Sequence, residues 1–175
     1  MTCPVTWLRR VVFALFVCAA ASADVLADAP AVPAQATVAI GGEVATPLHL
    51  DAAALQKFPR RAFDATEHGK TAHWDGVALA DVLGAAGVPL GDALRGKNLS
   101  LYVVVSAVDG YRAVYSLAEL DPAMRDGNVI LADRRDGQPL DTKEGSFLIV
   151  AKNEKRPARW VRQVIAIDVL RAPSP

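Results

Sequence analysis

The stretch Leu99–Leu117, LSLYVVVSAVDGYRAVYSL, decides the fold. Two runs of β-branched and aromatic residues flank Asp109-Gly110, a dipeptide that signals a tight hairpin, so two antiparallel strands are expected. A two-residue turn sets Val108 against Tyr111 and Ala107 against Arg112, which places Arg112 on the face carrying Val103, Val105 and Val114. A charge on that face near the tip either snorkels past the strand end into water or meets an anionic or polar ligand.

Outward from the hairpin, the same reading gives more short strands than helices. NVILAD (residues 128–133) and GSFLIVAK (145–152) are apolar on both faces, as central strands are, with RRDGQPL (134–140) as the turn region between them. In the last apolar stretch, residues 159–170, a period of two puts Val161, Ile165, Ile167 and Val169 on one face, with Trp160, Arg162, Val164 and Ala166 on the other. Towards the N-terminus, TVAI (37–40) and EVATPLHL (43–50) form two short strands joined at Gly41-Gly42. Asp51 caps a short helix that Pro59 stops, and RRAFDA (60–65) is a further strand. Leu79–Ala86 is a helix closed by Gly87 and Pro89, its buried face made by Leu79, Val82 and Leu83. Ser116 is read as the N-cap of LAEL, not as a nucleophile, since no histidine lies near it in sequence. The class that results is α+β, a mixed β-sheet with short helices.

The first residues have a basic end at Arg9 and Arg10, an apolar run from Val11 to Ala20, and small residues Ala21–Ala23. That pattern is a secretory signal peptide over residues 1–23, too short to anchor in a membrane, with Ala27 as the alternative cleavage point. Val17 ahead of Cys18 argues against a lipoprotein. An Ala/Pro-rich linker is expected over 24–36, the domain over 37–171 and a tail over 172–175. The expected location is the periplasm. Both cysteines, Cys3 and Cys18, fall within the leader, so the mature chain offers neither a disulfide nor a thiolate. It also carries 17 basic against 19 acidic residues, a net charge of −2, which gives no electrostatic footprint for nucleic acid.

Five motifs follow one another along the chain: Trp74-Asp75-Gly76-Val77 with Leu79; Asp109-Gly110-Tyr111; Gly137-Gln138-Pro139-Leu140; Gly145 followed by LIVA; and Arg159-Trp160-Val161-Arg162. In order and spacing they resemble the molybdopterin-binding domain of the sulfite oxidase family, over residues 37–171. The resemblance implies a fold shaped to hold a pterin and, in the patch corresponding to Phe63–Glu67, a cysteine that ligates molybdenum. Here that patch holds Asp64 and Thr66 and no thiolate. Two further motifs differ: the family's Pro-x-Arg is Ser146-Phe147-Leu148, and its Gly-Tyr-Lys-like loop is Glu154-Lys155-Arg156-Pro157.

A pterin is a flat, polar heteroaromatic ring that stacks on an aromatic or guanidinium plane while its edge takes hydrogen bonds. By position in the matching motifs, the expected ligand-binding residues are His73, Trp74, Tyr111, Arg112, Arg134, Arg159, Trp160 and Arg162. Each large aromatic has a second reading as a packing residue. Glu67, His68 and His73 are too loosely spaced for a metal site, and no catalytic residue is assigned. His68 and His73 are read as loop residues, His73 beside Trp74 being the one expected to touch ligand. The functional expectation is a non-catalytic periplasmic pterin-binding protein without molybdenum, reporting its ligand to the periplasmic part of a membrane signalling protein. The alternatives are a molybdopterin-dependent oxidoreductase with an oxygen ligand such as Asp64, and a ligand-free interaction scaffold.

Overall fold

Residues 36–173 are described by the structure, a computed structural model. The expected leader lies outside them, as do residues 24–35 of the expected linker and 174–175 of the tail. The first strand, β1 (Val38–Gly42), folds back on β2 (Leu48–Leu50), and Asp51 then caps α1 (Ala52–Leu55), its Oδ1 accepting from Ala54 N at 2.7 Å. β3 (Arg60–Glu67) and β4 (Lys70–Ala78) run antiparallel into α2 (Leu79–Ala85), whose Leu79, Ala80, Val82 and Leu83 are buried. β5 (Leu101–Ala107) and β6 (Arg112–Ser116) form the expected hairpin. α3 (Leu117–Leu120) opens with a capping box in which Ser116 and Glu119 each satisfy the other's backbone N–H. β7 (Val129–Arg135), β8 (Gln138–Pro139), β9 (Leu148–Ala151) and β10 (Val164–Arg171) complete the set.

Two sheets result. One has the order β2-β1-β10-β5-β6 and is mixed, since β1 pairs parallel to β10 while its other pairs are antiparallel. The other is antiparallel, in the order β3-β4-β7-β8, with β9 following β8 along the same edge of β7. A single buried cluster draws Val103, Val105, Ile167 and Val169 from the first sheet and Trp74, Val77, Ile130 and Leu131 from the second, together with α2.

Four expectations about local structure are corrected. The Asp109-Gly110 hairpin has a three-residue loop, Val108 to Gly110, because Ala107 N bonds Tyr111 O at 2.9 Å and Gly110 takes φ +85°. That is a type I turn closed by a left-handed glycine. It slips the pairing by one residue, so Ser106 opposes Arg112, and Arg112 sits on the exposed face beside Val114 while Ala113 and Tyr115 turn inward. The polar patch around His68 is no loop but a hairpin. His68 (φ +48°) and Gly69 (φ +79°) form a two-residue turn of the mirror-image kind that matches strand twist, and histidine tolerates that region better than most residues. Of the expected turn region 134–140, only Asp136 (φ +51°) and Gly137 (φ +77°) turn, leaving Arg134 and Arg135 as alternating residues of β7. The last strand begins at Val164, not Arg159, and a bulge between Val164 and Ala166 breaks its period: Val164, Ile167 and Val169 are buried and Ile165 is exposed.

Candidate functional site

Cross-strand pairs of the β3–β4 hairpin sort their side chains onto two faces. Phe63/Trp74, Ala65/Ala72 and Glu67/Lys70 share one, and Asp64/His73 and Thr66/Thr71 the other. On the outer face, His73 Nδ1 lies 2.8 Å from Asp64 Oδ1 and the Thr66 and Thr71 hydroxyls meet at 2.8 Å. His73 therefore faces away from Trp74: neighbours along a strand point to opposite sides. Asp64, the oxygen ligand expected in the oxidoreductase alternative, is turned outward with it, opposite the face of Trp74, and inward positions of β3 are held by Phe63, Ala65 and Glu67.

On the inner face, Trp74 is 1% exposed and meets Trp160 edge to face, with centroids 5.5 Å apart and planes at 87°. The Trp160 indole donates to Ala151 O at 3.0 Å, whereas the Trp74 indole N–H, equally out of water, has no acceptor among the described residues. The Arg135 guanidinium lies 5.3 Å over the Trp74 ring and donates to Glu144 Oε1 at 2.6 Å. That hydrogen bond holds the Arg135 pKa above its ordinary value. Glu144, itself buried, is anchored by Asp141 N at 3.2 Å.

Two clefts of about 260 Å³ each meet at the β3–β4 turn. The first is lined by Tyr111, Trp160, Arg162, Asp109, Ala107 and Pro157, the second by Trp74, Arg135, Ala72 and Lys70, and Glu67 and His68 line both. Arg162 Nη2 donates to Glu67 Oε1 at 2.5 Å. The Tyr111 hydroxyl donates to Ala158 O and that of Tyr115 to Arg159 O, which ties the segment carrying Trp160 to β6.

Of the residues expected from the sequence, Trp74, Tyr111, Trp160 and Arg162 are brought together here. His73, Arg112, Arg134 and Arg159 stand elsewhere. Arg134 lines a separate cavity of about 400 Å³ with Asp133 and Leu140. Arg159 sits in a larger cavity of about 610 Å³, between Glu119 and Glu154 and 4.6 Å over the Tyr115 ring. Burial alone would lower the Arg159 pKa, but the hydrogen bonds to both carboxylates outweigh it and hold it raised. No aromatic side chain lines that larger cavity, and of its two guanidinium groups that of Arg159 is already held by Glu119 and Glu154. Arg135 and Glu67 are not among the ligand-binding residues expected from the sequence. Counting alternate positions from the Asp136-Gly137 and His68-Gly69 turns would have found both.

The profile of the oxidoreductase molybdopterin binding domain family matches residues 26–175. The chain belongs to that family. A solved structure similar to this molybdopterin-binding domain is the sulfane dehydrogenase SoxCD from Paracoccus pantotrophus, with a TM-score of 0.61 and 19% identity. The match covers 77% of this chain and 38% of that one, so the present chain spans well under half of its length and the likeness is one of fold. No curated protein matches the sequence. As a member of this family the domain has a sulfite oxidase-like α+β fold, with the two clefts at the edge of its antiparallel sheet.

Proposed function

We propose that this protein is a non-catalytic pterin-binding module, exported to the periplasm, in which the paired clefts hold the ring. One observation carries the reading: Trp74 lines the cleft with a buried indole N–H that meets no acceptor among the described residues. Buried donors are nearly always satisfied, and a pterin carries ring nitrogens and a carbonyl that would accept from it. Around it, Trp160 and Tyr111 supply aromatic surface and Arg135 and Arg162 supply guanidinium planes.

The residues suit the organic ring and not a cysteine-bound molybdenum. No cysteine occurs after Cys18, and the inward side chains of β3 are a phenyl ring, a methyl group and a carboxylate already paired with Arg162. None supplies the soft sulfur that tunes the family's metal. We further propose that ligand occupancy is reported to the periplasmic part of a membrane signalling protein, since a binding module without chemistry of its own acts through a partner. Envelope pull-downs with and without added pterin test that step, and recovery of no membrane protein in either retires it.

The test of binding itself is to purify the chain from the cells that make it and measure molybdenum alongside the fluorescence and mass of whatever denaturation releases. The expected result is a fluorescent pterin without stoichiometric metal. Near-stoichiometric molybdenum would overturn the binding-only reading in favour of the oxidoreductase. If nothing is released and added pterins fail to bind, the scaffold reading replaces it.

A further inference from the structure

A flat ring lodged beside the two tryptophans still has an edge to satisfy, and Glu67 is the residue placed to read it. It ends β3 on the inward face and lines both clefts, with its side chain 18% exposed. Its one hydrogen-bond donor among the described residues is Arg162, which meets Oε1. An ionised carboxylate offers about four acceptor positions, so both oxygens keep lone pairs for a ligand. The other carboxylate of the first cleft, Asp109, is exposed and occupied by its own turn, accepting from Tyr111 N at 2.9 Å. The second cleft has no further carboxylate and carries Lys70 and Arg135 instead.

Two adjacent oxygens with fixed spacing match two adjacent N–H donors. In a pterin, the ring N3–H and the 2-amino group form such a pair. We propose that Glu67 is the specificity-determining residue of this site, selecting 2-amino-4-oxo heterocycles by accepting from N3–H and the 2-amino group together. Arg162 orients the carboxylate and balances its charge, so that ligand donors add to that pair and do not replace it. A ring with an oxo group at position 2 brings lone pairs against the carboxylate where the amino group brings a donor. Losing one charge-assisted hydrogen bond and gaining a repulsion is expected to weaken binding roughly 10- to 100-fold.

This inference rests on the pterin-binding reading, and the experiment separates the two. The probes are 6-hydroxymethylpterin and 6-hydroxymethyllumazine, which differ in the group at ring position 2, titrated calorimetrically into the wild-type chain and its variants. Wild type is expected to prefer the pterin by at least roughly tenfold, and Glu67→Gln to bring the two ligands within about threefold of each other. Asp109→Asn is expected to keep the preference. Glu67→Asp retains the charge but withdraws the oxygens, so it should weaken the pterin, which loses two hydrogen bonds, more than the lumazine, which loses one and is relieved of a repulsion. It also serves should Glu67→Gln fail to show a wild-type melting transition. Equal wild-type affinities, or a preference that survives in Glu67→Gln or disappears in Asp109→Asn, would overturn the assignment to Glu67 while leaving pterin binding intact. If the wild type binds neither compound, both readings fall.

Discussion

At the scale of single residues, Trp74 carries two burdens that substitution can separate. Its ring fills the core and lines the cleft, and its buried N–H meets no acceptor among the described residues. Trp74→Ala is expected to lower stability by about 3–5 kcal/mol, as other large-to-small core changes do. Trp74→Phe keeps most of the aromatic volume and removes an unsatisfied donor, so its cost should stay within about 1.5 kcal/mol while pterin affinity falls. Urea denaturation with and without pterin distinguishes the two. Asp141 makes a pH-dependent contribution of its own. Its Oδ1 accepts from Glu144 N and Lys143 N, both at 2.8 Å, and these bonds, that from Glu144 first, hold its pKa below the ordinary carboxylate value. A depressed folded-state pKa gives stability that is complete above the unfolded value, near about 4, and is lost as pH falls through the folded one. Asp141→Asn keeps an acceptor but no titrating charge, so its stability should vary less than that of wild type below about pH 4. Denaturant midpoints along an acid series measure the difference.

At the scale of elements, the motif Trp74-Asp75-Gly76 has a backbone explanation. The register between β4 and β7 shifts at Asp75/Gly76, and a Cβ on Gly76 would lie 2.3 Å from Leu131 O. Backbone cannot give way there without opening the ladder, so Gly76→Ala is expected to cost about 1–3 kcal/mol or more and to lower the thermal midpoint. The capping box at α3 offers a milder test: Ser116→Ala should cost about 1 kcal/mol by the same measurement. The strands, α2 and the cap at Ser116 were legible because buried faces alternate or recur at helical spacing. β4 was hidden because its outer face is Thr71 and His73 and its inner face near the turn is only Ala72, a pattern that reads as polar until the His68-Gly69 turn fixes its phase. Arg135 lines the cleft and Arg134 a separate cavity for the same reason: one step along a strand exchanges faces. Trp74, Tyr111, Trp160 and Arg162 could be picked from the family motifs, but their convergence depends on contacts between residues some ninety positions apart, such as Arg162 with Glu67, which spacing along the chain does not encode.

At the scale of the described domain, the two sheets are joined through one core, and the pairing of β1 with β10 has a meaning in time as well as in space. Ala39 lies opposite Ala166 and Gly42 opposite Val169, and Gly42 packs so closely that a Cβ would meet Val169 O at 2.1 Å. Among the described strands, the first made is thus completed by the last. A growing chain that has not yet released Arg171 leaves β1 with β2 as its one partner among the described strands and β5 with an open edge, so closure of this sheet waits for β10. Contacts this distant in sequence make for slow folding. For a chain exported as proposed, lateness is an advantage: an incomplete sheet leaves the polypeptide threadable until its final strand arrives on the far side.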